Sequence, residues 1–286
     1  CGFVLILSRK PWRGRILKHH FLVILLEYFQ RDSNFHKQKR KDVSLFIEKE
    51  LVKLRRTRKQ NEIAYFKQEQ RAEVKFIHQS LSLEGNPITL SETEEILAGQ
   101  SISKYKIEHV EEVLNYKRAV ELMLENTSAK TSLTQKLILK YHSIAMSHIH
   151  GAGEFRRQEV RIKGNPAFKT ASFRSLYEKI PALITMYTEF ESEKKKSVQR
   201  IISFAAFFHN EFQRIHPFID GNSRTSRLLM MHILRMNDIP ILDFPLGYFD
   251  QYMDLTKKSK VRDDLSFEYL IQELVLMDLK RLNDSL

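Results

Sequence analysis

The chain has 286 residues, enough for one large domain or two, and its 42% hydrophobic and 29% charged content is that of an ordinary globular protein. Its single cysteine, Cys1, excludes an internal disulfide framework and fits a reducing compartment. The net charge of +12 is local: residues 1–60 carry 16 Lys or Arg against 5 Asp or Glu, while the rest hold 31 against 30, so the body of the protein is not a polyanion-binding surface by composition.

The chain begins with Cys1 rather than Met, and residues 1–35 are given little weight. The apolar run 21–26 (FLVILL) follows basic residues and imitates a signal peptide, but Glu27 interrupts it and no small-residue cleavage site follows. It is also far short of the roughly 20 residues needed to cross a bilayer. A cytoplasmic protein without a membrane span is therefore expected. The basic segment reads as a solvated arm and long helix, with a contact to nucleic acid or an anionic membrane as the less favoured alternative.

Few glycines and prolines predict long helices. Residues 43–77 lack both and carry Ile47, Leu51 and Leu54 at helical spacing. Residues 89–92 (TLSE) form a capping box opening a short helix that closes near Gly99. A helix is expected over 107–125, and a second box at 132–135 (SLTQ) starts another that runs to about 147. The segment 151–153 (GAG) breaks the pattern, and 159–166 (EVRIKGNP) alternates apolar and polar residues before a turn, which predicts one small β-hairpin. Helices resume over 173–193, 197–213 and 267–282. The expected fold is mainly α, a helical bundle with one inserted hairpin. The expected division is a basic segment over 1–40, an N-terminal helical region over 41–125, and a core with C-terminal helices over 126–286.

The stretch 216–227 (HPFIDGNSRTSR) concentrates the chemistry. Pro217 disfavours helical geometry at His216, so the preceding helix ends there and the imidazole faces a cleft or solvent. Gly221 permits a positive φ, and Asn222 is a good N-cap for the helix that follows. Arg224 and Arg227 sit on one face of that helix near its first turn, where cations are unfavourable unless an anion is present. Phosphate would accept bonds from the backbone around Gly221 to Ser223 and from both guanidinium groups. Asp220 suffices as a protein ligand for Mg²⁺, which takes its other ligands from water and phosphate. His216 suits a general base. The plainer alternative is a capped helix with surface arginines beside an exposed histidine.

Those twelve residues resemble the signature of the Fic family, H-P-F-x-[D/E]-G-N-[G/K]-R-x-x-R, departing from it at Ser223. The resemblance extends to 153–156 (GEFR) with the hairpin near Ile162, similar to the family's flap, and to 80–86 (SLSLEGN), similar to its inhibitory motif. It spans about residues 75–260 and implies a Fic-type fold with the inhibitory helix N-terminal to the core.

The resemblance further implies a nucleotidyltransferase moving AMP from Mg²⁺-ATP to a Ser, Thr or Tyr hydroxyl of a target protein, the chain itself being one candidate target. His216 would be the base, Asp220 the Mg²⁺ ligand, and Gly221, Asn222, Ser223, Arg224 and Arg227 the phosphate cradle. Phe218 would anchor the loop. Ile162, Lys163, Gly164 and Asn165 would hold the target as an added strand, and Gln251 with Tyr252 would line the adenine pocket. Glu84, in a motif begun by Ser80, would pair with Arg227 and exclude the γ-phosphate; the alternative is a helix-terminal glutamate before a glycine cap. A positive φ at Ser223 would cost about 1 kcal/mol or more relative to glycine. De-AMPylation, transfer of another phosphate-containing group, and an interaction module with a basic arm stand as the competing functions, and a homodimer is left open.

Overall fold

The computed structural model describes residues 33–286 except 103, 163 and 164, with side chains from residue 42 onward. The run 21–26 and the basic segment before Ser33 lie outside the described residues. Residues 43–286 form one compact unit.

Helices dominate. Where the sequence predicts one uninterrupted helix, the structure has two, α1 (Ser33–Gln60) and α2 (Glu62–Ser82). They part at Asn61, whose φ of −131° and ψ of 55° leave the helical region. Ile47, Leu51 and Leu54 are buried as their spacing implies. The short α3 (Leu90–Leu97) starts from the Thr89–Glu92 capping box. Next come α4 (Ile107–Ser128) and α5 (Gln135–Ala145). Helix α5 is capped by Thr134, whose hydroxyl accepts from Leu137 N–H at 3.1 Å, and not by Ser132. The Ser132 hydroxyl is taken up by Glu191.

After a 3₁₀ turn, α6 (Leu176–Ser192) leads to α7 (Val198–Ile215), capped by Ser197. Then follow α8 (Asn222–Met236), α9 (Phe249–Leu255) and α10 (Asp264–Ser285). Among the described residues, no helix is long and apolar enough to cross a membrane.

Helix α8 is the axis of the unit. It packs against α7, α4, α5 and α2, and residues 224–234 along it are all buried. A helix buried all round belongs to a core. Its N-terminus therefore opens from the protein interior into whatever cleft the surrounding helices leave, which fixes where the 216–227 stretch can act.

The expected β-hairpin is not seen among the described residues. No strand occurs among the described residues of 154–172. Two isolated strands are marginal without further pairing, and here side chains satisfy the backbone instead. The Thr170 hydroxyl donates to Val160 O at 3.1 Å, and Asn165 Nδ2 donates to the carbonyls of Lys257 and Ser259 at 3.0 and 2.7 Å. The segment is a pinned loop.

Candidate active site

The loop between α7 and α8 is locked from behind. His216 ends α7 in the left-handed region at φ 51°, and Gly221 turns the chain again at φ 77°. Only glycine fits there, because a Cβ on Gly221 would lie 2.6 Å from Met146 Cγ. The predicted cap position shifts by one residue: Gly221 is the N-cap and Asn222 the first helical residue. The Asn222 side chain instead closes a ring with Phe218, accepting from its N–H at 3.0 Å and donating to its carbonyl at 2.9 Å. The Phe218 ring is fully buried and stacks on His142, with centroids 3.6 Å apart.

His142 is a residue the sequence reading missed. Gly153 N–H donates to its Nδ1 at 2.8 Å, so the ring proton sits on Nε2 and is donated to Asp220 O at 2.9 Å. Burial lowers its pKa to about 4 and keeps it neutral. Arg156, from the GEFR stretch, is likewise structural. Its side chain donates to His216 O at 2.7 Å and to the carbonyls of Ala171 and Ile215, closing the C-terminal end of α7 with a cation.

His216 donates from Nδ1 to Gln213 O, 3.2 Å away. A carbonyl only accepts, so Nε2 retains its lone pair. Burial lowers the pKa of the ring to about 4. The imidazole lines an open cavity of about 400 Å³ together with Asp220, Gly221, Asn222, Ser223 and Arg224 from the motif, and with Glu84, Glu112, Ile162 and Lys257 from elsewhere. The structure thus brings His216, Asp220, Gly221, Asn222, Ser223, Arg224 and Glu84 to one cavity, while Arg227 is buried and does not line it.

Both arginines are held. Arg227, 1% exposed, donates from Nη2 to Ser80 O at 2.6 Å and to Glu84 Oε1 at 3.0 Å, and from Nη1 to the Tyr252 hydroxyl at 3.4 Å. Ser80 contributes its carbonyl to that contact. The other Glu84 oxygen lies 3.6 Å from Lys257 Nζ. Arg224, 6% exposed, donates to Glu112 Oε1 at 3.1 Å and lies 3.4 Å from the Asp220 carboxylate. Nε of each arginine is buried without a hydrogen-bond partner among the described residues. Orphan buried donors are costly, and the one on Arg224, which lines the cavity, favours an anion there.

Asp220 accepts from Gly221 N–H at 2.6 Å, yet its side chain is 62% exposed. No group of three or more His, Cys, Asp or Glu side chains that could hold a metal occurs among the described residues. One accessible carboxylate beside open volume fits a cation that draws most of its ligands from water and a bound polyphosphate, as Mg²⁺ does.

Three expectations need correction. Ser223 carries no positive φ, since Gly221 takes the left-handed turn and Ser223 is already helical, so the serine is unstrained. Gln251 and Tyr252 do not line the cavity: Gln251 is exposed, and Tyr252 is buried with its hydroxyl 2.9 Å from His209 Nε2. The apolar niche beside the cavity is lined instead by Phe168, Gln213, Leu255 and Thr256, among others. In the loop meant to face a target, Ile162 reaches the cavity, Asn165 is buried on backbone carbonyls, and Lys163 and Gly164 lie outside the described residues.

With this geometry, residues 132–234 match the model of the Fic/DOC family. The chain is 29% identical over 223 residues to "Protein adenylyltransferase Fic" of Drosophila grimshawi, covering 77% of this chain and 42% of that protein. The same-named protein of Drosophila erecta is 28% identical over 237 residues, covering 82% and 44%. The chain thus spans about two fifths of the length of these curated relatives. Among solved structures, a Fic domain containing signaling protein from Bacteroides thetaiotaomicron superposes with a TM-score of 0.73 at 18% identity, over 84% of this chain and 96% of that one. Fic-1 from C. elegans gives 0.68 at 19% identity, over 93% and 75%. Over residues 132–234 the chain is thus similar to the Fic/DOC family.

Proposed function

We propose that this protein is an adenylyltransferase that moves AMP from ATP to a hydroxyl of a protein target, and that Glu84 holds it in check. In this reading residues 41–125 are the restraining region and 126–286 the catalytic core. The target hydroxyl gives its proton to His216 Nε2 as its oxygen bonds to the α-phosphorus; the bond from that phosphorus to the bridging oxygen breaks, and pyrophosphate leaves. Because burial keeps His216 neutral, its lone pair is available at working pH. The backbone at Gly221 to Ser223, with Arg224, receives the phosphates, and Asp220 is the residue that would hold Mg²⁺. When bound, that ion offsets phosphate charge. The loop at Ile162 would position the target, and the niche around Phe168 and Leu255 would take the base.

The observation that carries this reading is the Glu84–Arg227 pair at 3.0 Å. A carboxylate on that buried guanidinium occupies a phosphate partner and repels a phosphate approaching it. The test is to incubate wild-type protein and Glu84→Gly with Mg²⁺ and ATP labelled at either the α- or the γ-phosphorus. Self-labelling or target labelling from the α position only, raised in Glu84→Gly, is expected. Transfer of γ-label would make the protein a kinase, and no transfer from either position would remove the enzyme reading. Equal α-labelling by both proteins would leave the chemistry and remove the restraint.

A further inference from the structure

Glu84 is held at a second place besides its ion pair. It sits in the turn after α2, where Gly85 takes a φ of 93° and has nothing within 4 Å of an added Cβ. The backbone bonds of this turn, Glu84 N–H to Leu81 O at 2.9 Å and Asn86 N–H to Leu81 O at 3.1 Å, are local to α2 and travel with it. Asn86 reaches further. Buried, it donates from Nδ2 to Glu112 Oε2 at 2.7 Å and to His109 O at 3.1 Å, both on α4, while its Oδ1 accepts from Ile88 N–H at 3.1 Å. The other Glu112 oxygen accepts from Arg224 Nη1 at 3.1 Å and lies 3.7 Å from His148 Nε2. One carboxylate on α4 thus joins the turn behind Glu84 to a motif arginine.

We propose that Asn86 and Glu112 are positioning residues that set how tightly Glu84 is kept on Arg227. This rests on the reading of Glu84 as the restraining carboxylate. The Glu84–Arg227 pair competes with a bound phosphate, so the apparent ATP affinity scales with the fraction of molecules in which the pair is open. Freeing the turn from α4 returns conformational freedom to Glu84 and raises that fraction. The bond from Asn86 to Glu112 is charge-assisted, and its loss corresponds to about 10- to 150-fold in an equilibrium. Glu112 has a second, opposite effect, because it also fixes the guanidinium of Arg224. Without that carboxylate Arg224 keeps its charge and loses its orientation, and phosphate binding weakens.

The two effects separate in a calorimetric titration of the whole chain with Mg²⁺-ATP. Asn86→Ala is expected to tighten ATP binding by about 10- to 150-fold in the wild-type background and to leave it unchanged in a Glu84→Gly background. Glu112→Gln in the Glu84→Gly background is expected to weaken it. A role confined to folding would not tighten binding, nor would its effect depend on Glu84. Thermal melts check each variant, and Asn86→Ser, which keeps an oxygen for Ile88 N–H, serves if Asn86→Ala fails to fold. An equal effect of Asn86→Ala in both backgrounds, or no tightening in the wild type, overturns the proposal. So does Glu84→Gly failing to tighten ATP binding, since there is then no restraint to tune. Tightened binding without transfer of α-label would remove the transferase and leave the clamp standing.

Discussion

Replacing Glu84 by glutamine should destabilise the protein without nucleotide and restore much of that loss with it. The Arg227 side chain is 1% exposed and Glu84 18%, so the pair is largely out of water. Removing one partner of a fully buried pair costs about 3–5 kcal/mol, because the other charge is left without compensation. Here the Ser80 carbonyl and the Tyr252 hydroxyl stay on the guanidinium, and glutamine keeps an acceptor oxygen. The loss is therefore closer to one charge-assisted bond, about 2 kcal/mol. For a unit of this size that lowers the melting midpoint by about 4–8 °C.

Mg²⁺-ATP at about 100 times its dissociation constant adds about 2.7 kcal/mol to any protein that binds it only when folded. In Glu84→Gln the phosphate meets a guanidinium with no carboxylate on it, so the midpoint should return to near the wild-type value. In the wild type the same nucleotide concentration must first displace Glu84, and the rise should be smaller. Differential scanning fluorimetry with and without Mg²⁺-ATP reads both. Two results refute the reasoning: a Glu84→Gln midpoint at or above wild type, or an equal nucleotide-induced rise in the two proteins.

Much of the site was legible because its chemistry is contiguous. Twelve consecutive residues carry the histidine proposed as base, the carboxylate proposed to hold Mg²⁺, the turn glycine and both arginines, and the chain cannot place them far apart. Helix starts at Thr89 and Ser197 were equally local, since a cap depends on residues three positions away. What failed to show in the sequence is what the tertiary fold brings in. Glu112 is one of three glutamates on the first two turns of α4, and nothing in its neighbourhood marks it as the one that meets both Asn86 and Arg224. His142 lies 78 positions from the carbonyl it holds. Asn222 was read as a cap because that residue type caps helices, yet the cap needed a positive φ, which glycine supplies at less strain, and the amide was free to lock Phe218. The hairpin failed for a related reason: alternation describes which face a residue could take, while strand formation needs a partner ladder that side-chain bonds here replace.

The remaining predictions test single groups. His216→Ala should lower AMP transfer by about 100- to 10,000-fold while calorimetry still detects ATP binding, because the base acts on the incoming hydroxyl; equal loss of both would contradict its role. Asp220→Ala should abolish the Mg²⁺ dependence of transfer, and an unchanged metal titration would place the ligand elsewhere. Stability should fall on acidification below neutral pH, and the sign follows from the buried groups. Burial lowers His142, His216 and His232 to about 4 and His209 to about 3, against 6.5 when unperturbed. Between these limits the unfolded chain binds four protons that the folded chain refuses, so stability is lost as the pH falls through 6.5 toward 4. Asp278 opposes this: burial raises its carboxyl to about 7 from 3.8, and over that range the folded state holds one proton more. The histidines outnumber this opposing group, so the net slope keeps their sign and stability falls with acidification. Urea midpoints measured at pH 7, 6 and 5 should therefore fall with an increasing step, the larger drop coming between 6 and 5. A midpoint that stays level or rises toward pH 5 would mean that these histidines are not held neutral in the core, and the fixed tautomer by which His142 supports the Asp220 carbonyl would lose its basis.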